Sequence, residues 1–161
     1  MSTNFGPIAK KWGYLACGWG VLFAGLHYYW AVGGQRWLNV SAGERLAAER
    51  PAWFVITGLW GVGTLCLVGA LLGLLLTRPR PHRHLRRIMR WLGWGVCGLL
   101  LVRGLTIEVL LLTDVTHMDA DVSASQRAWT LALWNPWFIA GGLAFGLAAH
   151  HFGRAHRTPV S

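Results

Sequence analysis

Four long apolar runs alternate with polar segments along this 161-residue chain. They cover residues 12–32, 53–77, 88–113 and 128–150, and each reaches the roughly 20 residues that an α-helix needs to cross a hydrocarbon core. No small-residue cleavage pattern follows the first run, so we expect a retained span and not a signal peptide. The pattern predicts an all-α fold, with residues 1–161 forming a single transmembrane domain of four membrane-spanning helices.

Small residues recur four positions apart in three of these runs. They are Ala16, Gly20 and Ala24 in the first run, Gly69 and Gly73 in the second, and Gly142 and Gly146 in the fourth. This spacing lets membrane helices approach closely, so we expect these positions to face neighbouring helices. In the fourth run Pro136 cannot donate a backbone hydrogen bond to Ala132, which predicts a kink or a break there.

Basic residues concentrate on one side of the predicted membrane. Ten of the Lys and Arg residues lie in the amino-terminal arm, the second loop and the carboxy-terminal tail, whereas the first and third loops together hold four. Cytoplasmic segments carry the excess of Lys and Arg in membrane proteins. We therefore expect both termini in the cytoplasm, in a multi-pass protein of the plasma membrane.

The second loop holds six arginines between Arg78 and Arg90, and the whole chain has a net charge of +9. In a soluble protein this charge would indicate nucleic acid. Here the arginines flank apolar spans, so we expect them to contact the bilayer and its anionic lipid headgroups, and we expect no nucleic-acid partner. A specific lipid-headgroup or nucleic-acid site at these arginines is the alternative. Association into homo-oligomers or with a membrane partner is left open.

The first loop contains a pattern typical of a helix start. Ser41 is followed three residues later by Glu44, as in a capping box, and Glu49 lies four residues after Arg45. We expect a short surface helix of about ten residues here, ending before Pro51.

The third run carries two full charges, Arg103 and Glu108, within its apolar sequence. An Arg or an acidic residue near the centre of a transmembrane helix costs about 2.5 to 3.5 kcal/mol, so such residues usually pair, line a wet cavity or serve a function. The two lie about 7.5 Å apart along the helix axis and roughly 140° apart around it, so they do not pair within one helix. We expect both to face the interior of the bundle.

Four runs place a polar side chain near the predicted extracytoplasmic side. These residues are His27, Thr57, Glu108 and Asn135, and Arg103 lies roughly two helical turns below them. Such a set of groups suits proton transfer, or the binding of a polar head on an apolar molecule. The alternative is that they hydrogen-bond one another and only fix the packing.

Two of the 11 tryptophans, Trp60 and Trp137, fall close to this polar layer. Aromatic faces attract cations and line lipophilic pockets, which favours an isoprenoid or lipid-like ligand. Packing explains each Trp taken alone.

The cysteines and histidines predict no metal and no cofactor. Cys17, Cys66 and Cys97 occur singly in different runs, a spacing that does not suit zinc, a disulfide framework or a thiol relay. Haem would need two axial histidines at one depth, and only His27 with a folded-in His117 would supply them.

Two motifs resemble those of a known family. The chain reads His-Tyr-Tyr-Trp-Ala-Val-Gly-Gly from His27 and Asn-Pro-Trp-Phe-Ile-Ala-Gly-Gly from Asn135. These stretches are similar to motifs in a family of small four-span bacterial proteins catalogued as a domain of unknown function. The resemblance extends from about Trp12 to His150 and implies a four-helix integral membrane fold, with no catalytic assignment.

These observations favour a small membrane enzyme that binds or transforms a lipophilic substrate by acid/base chemistry. In this hypothesis Glu108 is the acid or base, His27 is its proton partner and Arg103 is an electrostatic anchor. Asn135, Trp60, Trp137 and Thr57 are the expected substrate-binding residues. The alternative is a non-catalytic membrane subunit or lipid-binding adaptor, and whether the protein is an enzyme stays open.

Overall fold

The computed structural model describes residues 7–78, 82–113 and 123–154, and within these ranges the chain is helical with no β-strand. In chain order the elements are α1 (Pro7–Ala31), α2 (Leu38–Ala42), α3 (Glu44–Glu49), a first π-helical segment (Phe54–Gly61) continuous with α4 (Val62–Leu75), α5 (Arg83–Thr113), α6 (Ala124–Trp129), a second π-helical segment (Thr130–Trp134), and α7 (Asn135–Arg154). The expected all-α fold is confirmed.

Three helical stretches are long and apolar enough to cross a membrane: Phe54–Leu75, Arg83–Thr113 and Ala124–Arg154. Helix α1 has 25 residues, but its second half is rich in glycine, tyrosine, tryptophan and histidine. Glycine, tyrosine, tryptophan and histidine contribute little hydropathy, and α1 is not among these three stretches. Helix α1 also includes residues from Pro7 onward, ahead of the expected start of the span at Trp12.

Helix α1 packs mainly against α4 through small residues. A Cβ atom at Gly73 would lie 2.7 Å from the backbone nitrogen of Cys17, and a Cβ atom at Gly20 would lie 2.8 Å from the carbonyl oxygen of Cys66. Ala16 and Ala24 are buried in the same seam. The expectation that the small residues of the first run face a neighbouring helix is therefore confirmed.

Helix α5 packs mainly against α7, again through glycine. A Cβ atom at Gly142 would lie 2.8 Å from the side chain of Leu101, and one at Gly146 would lie 2.7 Å from Sγ of Cys97. Helix α7 also contacts α1, so it joins the two helix pairs. Phe145 of α7 is completely buried at this junction.

Two buried apolar clusters divide the bundle along its length. The first contains Ala16, Leu72, Leu76, Met89, Cys97, Leu100, Ala144, Phe145, Ala148 and Phe152. The second is aromatic and contains Phe23, Trp30, Leu38, Phe54, Leu59 and Trp134. The second cluster contains residues of α1, α2 and both π-helical segments, and it encloses the site described below.

Pro136 does not break the fourth long helix. The chain continues from α6 into α7 without interruption, and the five residues Thr130–Trp134 just before Asn135 adopt π-helical geometry. A π turn moves the hydrogen-bond register by one residue and so accommodates a missing donor without ending the helix. The kink or break predicted at Pro136 is therefore a π-helical segment within a continuous helix.

The first loop differs from the capping-box expectation. Ser41 lies inside α2 and its hydroxyl donates to the carbonyl oxygen of Trp37, while Gly43, with φ 90°, is the cap residue of α3. Because the hydroxyl of Ser41 bonds to a carbonyl oxygen one turn earlier, it does not cap a helix that starts after it. Two short helices, α2 and α3, occur in place of the single helix expected. The helical stretch does end before Pro51, as expected.

The basic segment of the second loop is partly helical. Helix α5 begins at Arg83, so Arg83, Arg86, Arg87 and Arg90 lie on its first turns and not in a loop. Residues 79–81, which include Arg80, lie outside the described ranges, as does the third-loop segment 114–122 with His117.

We expect Gly73→Ala to destabilise the protein, because its methyl group would overlap the backbone of α1. The expected loss of unfolding free energy is about 1 to 3 kcal/mol, the usual cost of overpacking. Thermal unfolding in detergent micelles, followed by circular dichroism, measures it. Gly98→Ala is the matched control, because no atom lies within 4 Å of a Cβ atom there. Equal stability of the two variants would contradict the close α1–α4 packing.

Candidate intramembrane site

A cavity of about 170 Å³ lies within the aromatic cluster. Its walls come from α1, α2, both π-helical segments, α5 and α7, and they consist of Phe23, His27, Trp30, Leu38, Ser41, Ala42, Phe54, Gly58, Leu59, Arg103, Thr130, Trp134 and Phe138. Most of these side chains are apolar, and His27 and Arg103 supply its charged or titratable groups. An apolar pocket with a few convergent polar groups is the usual form of a small-molecule site.

His27 is held in a defined orientation. Its side chain is 8% exposed, and its Nδ1 lies 2.9 Å from the carbonyl oxygen of Phe23. Because a carbonyl oxygen only accepts, Nδ1 carries the hydrogen, and a neutral ring then has its lone pair on Nε2. Nε2 has no hydrogen-bond partner among the described residues. The ring lies edge-on to Phe23 at 4.6 Å and to Trp30 at 5.3 Å.

Trp30 is anchored from two sides at the end of α1. Its indole N–H donates to the carbonyl oxygen of Arg36 at 2.7 Å, and its own carbonyl oxygen accepts from the guanidinium of Arg50 at 2.5 Å. A cation at a helix carboxyl end also interacts favourably with the helix dipole. The guanidinium of Arg127 contacts α5 in the same way, donating to the carbonyl oxygen of Leu111 at 2.6 Å.

Arg103 lies at the edge of the α5–α7 interface and not in the bundle interior that the sequence predicted. The residue is exposed, whereas the adjacent Gly104 is buried against α7. Its guanidinium carbon lies 5.0 Å from the centre of the Phe138 ring, a cation–π geometry. Among the described residues it forms no ion pair. Arg103 therefore forms a partly open side of the cavity, and His27 forms a buried one.

Glu108 and Asn135 hydrogen-bond to each other. The amide nitrogen of Asn135 donates to a carboxyl oxygen of Glu108 at 2.7 Å, and Asn135 is completely buried. Neither residue lines the cavity. The pair ties α5 to the first turn of α7, directly after the second π-helical segment that supplies Thr130 and Trp134 to the cavity wall.

The other predicted substrate-binding residues also lie outside the cavity lining. Thr57 is exposed, and its hydroxyl donates to the backbone carbonyl four residues earlier. Trp60 is 45% exposed, with its ring 5.3 Å from that of Tyr28. Trp137 is half-buried and stacks on Trp19 with ring centres 5.9 Å apart. The structure thus brings His27 and Arg103 to the cavity and distributes the rest around it.

Unpartnered polar atoms cluster around Pro136. The indole nitrogens of Trp134 and Trp137 and the side-chain oxygen of Asn135 are buried and have no hydrogen-bond partner within the described chain. Trp134, which is 9% exposed, is the member of this group that lines the cavity. A buried polar atom without a partner costs about 1 to 3 kcal/mol, so these atoms lower the stability of this segment.

Sequence reasoning missed the two π-helical segments and the contribution of α2. The π-helical segments lie on two sides of the cavity, where they supply Phe54 and Leu59 on one side and Trp134 on the other. Single π turns often occur at functional sites. The Asn135-Pro136 pair directly after Trp134 was a usable signal for the second π-helical segment. The sequence holds no comparable signal for the first segment, which supplies Phe54 and Leu59.

Comparison with known families adds one finding. The model of a family described as a protein of unknown function, DUF3995, matches residues 20–145. The chain belongs to the DUF3995 family. The predicted membership of a family of unknown function is confirmed, and the matched region contains the whole cavity lining. No curated protein and no solved structure matches this member of the family.

We expect the Glu108–Asn135 hydrogen bond to couple the two residues energetically. A double-mutant cycle with Glu108→Leu and Asn135→Leu should give a coupling free energy of about 1 kcal/mol, within the range found for polar pairs in membrane bundles. Reversible unfolding in mixed detergent micelles measures each variant. Asn135→Leu combined with Thr57→Val is the control pair and should be additive, because no hydrogen bond joins these side chains. A coupling energy near zero for Glu108 with Asn135 would contradict the bond.

Proposed function

We propose that this protein crosses the plasma membrane four times, with α1 as the additional span and both termini in the cytoplasm. The 25 residues of α1 reach about 37 Å, which is enough to cross the hydrocarbon core. Close packing of α1 along α4 and α7 supports this arrangement. The distribution of Lys and Arg between the loops supports the orientation.

We propose that the cavity between His27 and Arg103 binds a lipophilic small molecule that carries a polar group. The observation that carries this proposal is the combination of an aromatic wall with two polar groups that form no hydrogen bond or ion pair with each other or with the rest of the described residues: Nε2 of His27 and the guanidinium of Arg103. Nε2 of the neutral ring accepts a hydrogen bond, and the guanidinium donates. A hydroxyl on the ligand would donate to Nε2 and accept from Arg103.

The volume of the cavity limits what can enter it. An apolar cavity of about 150 Å³ accommodates benzene, so about 170 Å³ admits a polar head with a short apolar segment. The remainder of an isoprenoid or lipid chain would stay among the helices or in the bilayer. The exposed Arg103 marks the side from which such a molecule enters.

The same geometry supports acid/base chemistry centred on His27. In the proposed enzyme, Nε2 of His27 takes a proton from the bound polar group, and Arg103 stabilises the negative charge that develops. Glu108 stays the predicted acid or base, although its bond to Asn135 outside the cavity favours a positioning role for the pair. In the alternative, a lipid-binding adaptor, the protein binds the same molecule without changing it.

Fusions to the two termini test the topology. With four spans, a fluorescent reporter that needs the cytoplasm should be active at both ends, and alkaline phosphatase, which needs the extracytoplasmic side, should be inactive at both. Opposite activities at the two termini would indicate three spans and refute α1 as a transmembrane helix.

Native mass spectrometry of protein extracted gently from its own membrane tests the ligand. We expect a bound small lipophile in the wild type, and a loss of at least tenfold in occupancy in His27→Phe and Arg103→Leu, because each variant removes one polar contact with the head. Thr57→Val and Trp60→Phe are controls that should keep the ligand, since neither residue lines the cavity. Only bulk phospholipid in every sample would refute the proposal.

The enzyme and adaptor hypotheses differ in a second readout. If the isolated ligand is converted to a product by wild-type protein and not by His27→Phe, the protein is an enzyme. If the ligand leaves unchanged and a protein partner co-purifies at fixed stoichiometry, the adaptor hypothesis is correct.

A further inference from the structure

A second, larger cavity lies at the other end of the bundle, between the first turns of α5 and the last turns of α7. Its volume is about 590 Å³. Four arginines and two exposed tryptophans of α5 line it together with the end of α7: Arg83, Arg86, Arg87, Arg90, Trp91, Trp94, Phe152 and Gly153. We call these residues the arginine groove.

The arginines of the groove share one face of α5. They are spaced at positions i, i+3, i+4 and i+7 from Arg83, so they lie on neighbouring turns over roughly 10 Å of helix. Like charges at these spacings repel, and positive charge near a helix amino end opposes the helix dipole. The arginine cluster therefore destabilises the isolated helix. An anionic partner bound to the arginines would offset this repulsion.

No carboxylate within the described chain provides that compensation. None of the four guanidinium groups forms an ion pair or a side-chain hydrogen bond among residues 7–78, 82–113 and 123–154. Gly153 allows Arg90 to lie against α7, since a Cβ atom there would lie 3.1 Å from Nε of Arg90. Within the described part of the chain, the groove thus holds several unpaired cations around an open volume.

The position of the groove indicates a lipid partner. It lies where the basic start of α5 passes into its apolar sequence, and Trp91 and Trp94 are exposed there, as aromatic residues commonly are at the membrane interface. Arginine binds phosphate oxygens through paired hydrogen bonds, and basic pockets between transmembrane helices bind polyanionic lipid headgroups.

We propose that the arginine groove binds a phospholipid with two phosphates in one headgroup, of the cardiolipin type. Four arginines along about two turns match two phosphates, each held by two guanidinium groups. The exposed apolar surface of Trp91 and Trp94 then contacts the acyl chains. This site is separate from the His27–Arg103 cavity, and it shares no lining residue with it.

Native mass spectrometry of the full chain tests this proposal. The protein is released from lipid particles that contain cardiolipin, phosphatidylglycerol and phosphatidylcholine. We expect one cardiolipin to stay bound in preference to phosphatidylglycerol by at least tenfold. The double variant R87Q/R90Q should lose this preference by tenfold or more. The matched control R78Q/R154Q removes the same charge at the same end of the bundle, from two arginines that do not line the groove, and it should stay within twofold of the wild type.

Gly153→Leu tests the groove without changing charge. The added side chain would displace Arg90 and narrow the cavity, so cardiolipin retention should fall several-fold while helicity measured by circular dichroism stays unchanged. This variant also decides the question if R87Q/R90Q fails to fold. Equal losses in R87Q/R90Q and R78Q/R154Q, equal retention of cardiolipin and phosphatidylglycerol, or no effect of Gly153→Leu would each overturn the proposal.

Discussion

Hydrocarbon offers no hydrogen-bond partner, so every polar group within an apolar helix must find its partner inside the protein. Most polar side chains of this bundle meet that requirement. Threonine hydroxyls donate to carbonyl oxygens of their own helices, and Asn135 donates to Glu108. The exceptions among the described residues include Nε2 of His27, which lines the cavity, and three buried atoms near it: the indole nitrogens of Trp134 and Trp137 and the side-chain oxygen of Asn135. The unpartnered nitrogen of His27 supports the proposal that the cavity binds a ligand.

The architecture explains how such a cavity persists. Glycine seams join α1 to α4 and α5 to α7 at close range, and in the other half of the bundle large aromatic side chains replace the small ones. Two π-helical segments occur at this level. A π turn takes the helix out of its ordinary register, and Phe54 and Trp134, one from each segment, both line the cavity. The bond between Glu108 and Asn135 then ties α7 to α5 directly beyond the second segment.

Part of this arrangement could be predicted from the sequence, and part could not. Length and hydropathy located the long helices, and four-residue spacing identified the buried seam of Ala16 and Gly20. Counting residues from the span ends placed Glu108 and Asn135 in one layer of the membrane, and the two side chains do form a hydrogen bond. The exposed position of Arg103 could not be predicted, because it depends on which face of α5 packs against α7. That face is set by Gly104, which lies against α7, and not by the charge of Arg103. The π-helical segment at Phe54 has no proline or other local signal, so only tertiary packing reveals it.

The central claim is that the cavity of His27, Trp134 and Arg103 holds a ligand in the native membrane. An experimental structure of the protein, extracted with its own lipids and solved at a resolution that shows side chains, tests this claim most directly. We expect density that no protein atom explains, within hydrogen-bond distance of Nε2 of His27 and continuing past Arg103 towards the bilayer. A closed cavity in which Nε2 of His27 bonds to another side chain of this protein would contradict it.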